Sequence, residues 1–136
     1  MPIWALSAIS SLVCYGLWTI TNKLSIQYID PKVALLYVIF GEAITFILVA
    51  TLTPMPWSLQ PQGVGLALLT GVLQYFALFF FLMALSQGSL SLVSIMVALY
   101  PVISIIFGTL VLDEPLTLRQ GMGVGLAIAA VVLIAA

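Results

Sequence analysis

Histidine is absent from the 136-residue sequence, cysteine occurs once, and formal charge is confined to three basic and four acidic side chains. Each scarcity excludes something. With no histidine and no second thiol there is no ligand set for a structural zinc site, and Cys14 alone excludes an intramolecular disulfide framework. Lys23, Lys32 and Arg119 are too few and too scattered to form the clustered positive face that nucleic acid requires, so that partner class is set aside. An enzyme finds little support. No nucleophile lies at a recognisable spacing from a base, no phosphate-binding glycine loop occurs, and only Asp113 and Glu114 offer acids near an interface. No cofactor is expected. Charged residues make up 5% of the chain, against roughly 25% in a soluble domain, which is too little to cover a surface facing water.

What is present is hydrocarbon: 64% of the residues are hydrophobic and the mean hydropathy is +1.33. The fold class that follows is all-α, an integral membrane bundle. A bilayer core of about 30 Å is crossed by roughly 20 helical residues. Dividing the chain at its charges, prolines and turn signals predicts a single domain of five transmembrane helices, at about 3–22, 32–52, 62–85, 90–112 and 117–136. Asp30 can cap the second helix with Pro31 in its first turn, and Thr117 with Gln120 has capping-box spacing at the start of the fifth. Trp57, in the proline-rich loop before the third helix, suits the headgroup layer. Met1-Pro2-Ile3-Trp4 has no basic side chain of the kind that opens a signal peptide, so the first segment reads as mature structure.

Five spans place the two termini on opposite faces of the membrane. Lys23 and Lys32 flank the loop on one face and Arg119 a loop on the other, a bias of two against one that barely orients the chain. Dual topology is therefore expected.

From Ala84 to Ala136 the sequence resembles an EamA domain of the drug/metabolite transporter superfamily. The matching residues are Leu99 and Pro101-Val102 in mid-span, Gly108, and Leu112-Asp113-Glu114-Pro115-Leu116-Thr117, where the family usually has a leucine, glycine, glutamate and leucine-threonine run. Gln120 and Gly123 fit as well. Earlier, Tyr15-Gly16 followed by Lys23 resembles the family's aromatic-glycine opening that ends in lysine, and Asp30-Pro31 resembles its turn into the second helix. The likeness covers essentially the whole chain as one EamA-like repeat. Two positions depart from it: Glu42 lies near an arginine of many members, and Ala129-Ala130 replaces a late glycine. Typical members carry two such domains in inverted orientation, with a substrate site between them near the bilayer midplane. The resemblance thus implies a dimer, either an antiparallel homodimer similar to the small multidrug resistance transporters or a heterodimer with a second half-size protein. It also implies a small-molecule substrate, while the compactness of the chain and the missing signal peptide suggest residence in a plasma or inner membrane.

Helical rise places several polar residues at one depth. Glu42 is near the centre of span two, Gln74 of span three, Tyr100 and Pro101 of span four, and Ser11 and Cys14 of span one. Trp18 shares a helix face with Ser7, Ser11 and Cys14. The candidate substrate or proton site is therefore Glu42, Gln74, Tyr100, Trp18 and Cys14, with Pro101 as a hinge that withholds a donor from the Val97 carbonyl. Each has a plainer role available. Small and hydroxylated residues serve helix packing, aromatics fill core or face lipid, Lys23 and Arg119 snorkel to headgroups, and Asp113-Glu114 ends a helix. Glu42 stands apart, because a carboxylate at a helix centre costs on the order of 2.5 to 3.5 kcal/mol on insertion scales. Its plain alternative is a structural carboxyl bonded to Thr45 or Gln74. Its functional one is a site that exchanges protons for a cationic or amine-bearing substrate during alternating access. A non-transporting subunit that stabilises or regulates a larger membrane partner is the alternative to a transporter.

Overall fold

The computed structural model describes residues 3–54 and 60–135. Trp57 and the final residue of the predicted fifth helix, Ala136, lie outside them. The chain divides into two compact units, Met1–Gln87 and Gly88–Ala136.

The first unit contains α1 (Ile3–Ser25), α2 (Pro31–Leu52) and α3 (Pro61–Gln87). The α1 helix passes its expected end at Asn22 because Lys23, Leu24 and Ser25 are all compatible with helix. It closes in a tight turn in which the Ser25 carbonyl accepts from Tyr28 and Ile29 N–H at 3.0 and 3.1 Å. Asp30 then caps α2 as expected: its Oδ1 accepts from the Lys32 N–H at 2.8 Å, and Pro31 fills a position whose N–H would have had no partner.

The core of this unit sits at one end of it. Ala34 and Leu35 from the start of α2 meet Leu78 and Leu82 from the C-terminal half of α3, and Trp18, Ile29, Val38 and Phe79 pack around them. Phe81 and Leu85 are buried there too. Lipid tails are as apolar as leucine, so this contact is held by close packing and not by exclusion of water, and the small Ala34 lets α2 approach α3. Away from that end the helices show Leu, Ile, Val and Phe to their surroundings along most of their length.

The second unit contains α4 (Leu90–Val97), α5 (Tyr100–Val111) and α6 (Leu118–Ala135), with α4 packed against α6. The span expected at 90–112 is present as Leu90–Val111, with a two-residue break inside it that separates α4 from α5. Pro101 has no N–H for the Val97 carbonyl and its ring crowds that oxygen, so α4 stops at Val97 and α5 begins at Tyr100. Leu99 N–H turns to the Met96 carbonyl at 3.3 Å and Val102 N–H to the Leu99 carbonyl at 2.9 Å, bonds one residue shorter than those of an α-helix. After α5, Asp113 takes a left-handed backbone with φ 53°, and Glu114 N–H folds back to the Gly108 carbonyl at 3.0 Å. The α6 helix opens on the expected reciprocal cap: Gln120 Oε1 accepts from Thr117 N–H at 2.9 Å, and Thr117 Oγ1 accepts from Gln120 N–H at 3.3 Å.

Among the described residues four segments are long and apolar enough to cross a bilayer: α1, α2, α3 and the α4–α5 pair at Leu90–Val111; Leu118–Ile134 is apolar but shorter. No strand occurs among the described residues. The molecule is an all-α membrane bundle.

Candidate functional site

Between α1 and α2, toward the loop that joins them, lies a cavity of about 250 Å³. Trp18 stands in its wall, its indole stacked on Phe81 at 5.3 Å and 13° and met edge-on by Tyr15 at 6.3 Å. One turn later on the same face comes Asn22, which is 3% exposed. Its Nδ2 donates to the Trp18 carbonyl at 2.9 Å, while its Oδ1 is buried without a partner. That bond also fixes the carboxamide's orientation, because the flipped form would set two oxygens against each other. Thr21 and Ser25 line the same cavity and donate their hydroxyl hydrogens to α1 carbonyls, Thr21 to Trp18 and Ser25 to Asn22. Val38 and Tyr37 contribute the α2 side.

Of the residues singled out in the sequence, only Trp18 lines this cavity. Glu42, Gln74 and Cys14 fall at the midpoints of α2, α3 and α1 and are exposed on the first unit. Glu42 has no hydrogen-bond or ion-pair partner among the described residues. Thr45, the neighbour that could have held it, donates to the Gly41 carbonyl at 2.8 Å. Glu42 also follows Val38 by four residues, so it lies one helical turn, about 6 Å, further along the α2 face that forms the cavity wall. In the second unit Tyr100 is exposed at the first residue of α5, and Pro101 sits in that helix's first turn, beside the break it causes.

Lys23 was expected among lipid headgroups. In the structure its Nζ donates to the carbonyl of Leu85, which is wholly buried in the last turn of α3. There it satisfies a carbonyl that the helix end leaves without an intrahelical donor, and its charge meets the negative end of the helix dipole. The Glu114 carboxylate lies over Gly108, close enough that a Cβ on the glycine would stand 3.1 Å from Oε2.

Asn22 and Lys23 were missed as site residues. A signal for Asn22 was available: Cys14, Trp18 and Asn22 recur every four residues, so the face that carried the first two continues to the third. No local signal pointed Lys23 at a residue 62 positions away.

The sequence matches neither a curated protein nor a solved structure. A family model does match it, over residues 2–136: the chain belongs to the EamA-like transporter family, whose members are membrane proteins of the drug/metabolite transporter type.

Proposed function

We propose that the protein moves a small metabolite or drug across a cell membrane by alternating access, with Glu42 binding a proton or a cationic substrate in turn. The observation that carries this reading is the isolation of Glu42. A carboxylate at the centre of an apolar span is costly to place there, and this one is exposed at the middle of α2 with no partner among the described residues of its own unit. A structural carboxyl would have found an internal hydrogen bond. What it lacks is supplied from outside the protomer, by a proton, by substrate, or by the matching face of a second half.

That second half is an antiparallel copy of this chain. The near balance of Lys23 and Lys32 against Arg119 permits both orientations, and two inverted copies would bring two Glu42 carboxyls to one midplane cavity. Gln74, Tyr100, Trp18 and Cys14 provide walls and hydrogen bonds along the path, and the break at Pro101 is the hinge. The test is uptake into proteoliposomes under an imposed pH gradient, with a panel of neutral, amine-bearing and permanently cationic solutes. Glu42→Gln is expected to abolish proton-coupled uptake while the dimer survives in cross-linking. Uptake that persists unchanged in the variant would remove Glu42 from the mechanism. Obligate copurification with a different membrane chain, with no uptake by the purified protein alone, would favour the subunit role.

A further inference from the structure

The α1–α2 cavity has a chemical bias that the Glu42 reading does not use. Four α1 side chains line it, and the three beside the Trp18 indole have each spent a hydrogen on an α1 carbonyl: Asn22 Nδ2 and Thr21 Oγ1 on Trp18, and Ser25 Oγ on Asn22. What they retain is mostly lone pairs. Asn22 keeps a second amide hydrogen, Trp18 its indole N–H and Tyr37 a hydroxyl that works either way, but the buried lining atom without a partner is an acceptor, Oδ1 of a side chain that is 3% exposed. A ligand that satisfies it must donate.

We infer that this cavity binds the primary ammonium group of a small amine, with Asn22 Oδ1 as the anchoring acceptor and the Thr21 and Ser25 hydroxyl oxygens beside it. An ammonium carries three donors and no acceptor, the complement of such a lining. The indole of Trp18 offers a ring that attracts cations, and the cavity lies along the last two turns of α1, where the helix dipole is negative. No lining residue is cationic, and the nearest ammonium in sequence, that of Lys23, is directed to Leu85 on α3. A volume of about 250 Å³ is below the range of roughly 300–1,000 Å³ typical of drug-sized sites, which points to a compact amine. An amine leaving the cavity along α2 next meets Glu42, one turn further on. Binding in the cavity stands without that step.

The experiment uses the full chain in detergent micelles with Trp4 and Trp57 replaced by phenylalanine, so that Trp18 is the sole indole reporter. Titration at neutral pH with n-butylammonium is expected to give a saturable change in Trp18 emission. Butyrate, of similar size and opposite charge, is expected to give none. Tetramethylammonium, a cation with no N–H, is expected to bind at least tenfold more weakly. Asn22→Leu should weaken n-butylammonium binding at least tenfold with helix content unchanged by circular dichroism. If that variant does not fold, Thr21→Val combined with Ser25→Ala decides, with a several-fold loss expected. Equal responses to butylammonium and butyrate, equal binding of tetramethylammonium, or undiminished affinity in the folded variants would each overturn the site. The titration reads binding alone, so its failure leaves the Glu42 transport test standing.

Discussion

Replacing Lys23 with methionine keeps an unbranched stem of similar length and deletes the ammonium. In the structure that ammonium donates to the carbonyl of Leu85, a residue with 0% exposure at the end of α3. A hydrogen bond from a charged donor contributes roughly 1.5–3 kcal/mol, and a cation at a helix C-terminus about 0.3–1 kcal/mol. Water cannot reach the Leu85 carbonyl to replace the lost donor, whereas the methionine stem retains most of the lysine's packing. These considerations place the loss at about 2 kcal/mol, or roughly a thirtyfold fall in the folding equilibrium. The assay is reversible unfolding in mixed micelles with increasing sodium dodecyl sulfate, followed by the emission of Trp18, which loses its stacking on Phe81 when α1 and α3 part. Lys23→Arg should recover part of the loss, because it restores charge and donors on a longer arm. A Lys23→Met variant with the parent's midpoint, or an arginine variant no better than methionine, would refute the assignment of Lys23 as the cap of α3.

Asp113 has φ 53°, a backbone that glycine adopts freely and aspartate tolerates. Asp113→Val should cost about 1–2 kcal/mol, and Asp113→Gly should leave thermal stability at least equal to the parent's; a stable valine variant would contradict the left-handed turn. Pro101→Ala should give the Val97 carbonyl its missing donor and join α4 to α5, slowing hydrogen exchange of the amides at 98–101 at least tenfold. Unchanged exchange would mean that something other than the proline breaks the span.

The features legible in the sequence were those decided within a few residues. Spans followed from apolar length, and the caps at Asp30 and at Thr117 with Gln120 followed from side chains placed to reach nearby amides. The left-handed backbone of Asp113 was not legible, since aspartate visits that region without requiring it. Pro101 was recognised as disruptive, yet the helix was carried through it, because proline fixes the missing bond but not how far the chain unwinds before helix resumes. The rest was decided between helices. Which carbonyl Lys23 reaches, and that Asn22 is enclosed with one oxygen unsatisfied, depend on how α1, α2 and α3 come together, and nothing in apolar periodicity sets that. Glu42 was conspicuous by its depth; that no described residue of its unit partners it needed coordinates.

Among the described residues the buried core of the first unit lies at one end, in Ala34, Leu35, Leu78 and Leu82, with buried Leu85 and the Lys23 cap beside it. Three rods riveted at one end behave like tongs. Their free arms can spread or close while the rivet keeps nearly all of its contacts, and the angle between them is left to whatever presses from the sides. Acyl-chain length and lateral pressure therefore become working parameters of this protein, since a thicker or more crowded bilayer acts directly on the arms that carry Glu42, Gln74 and Cys14.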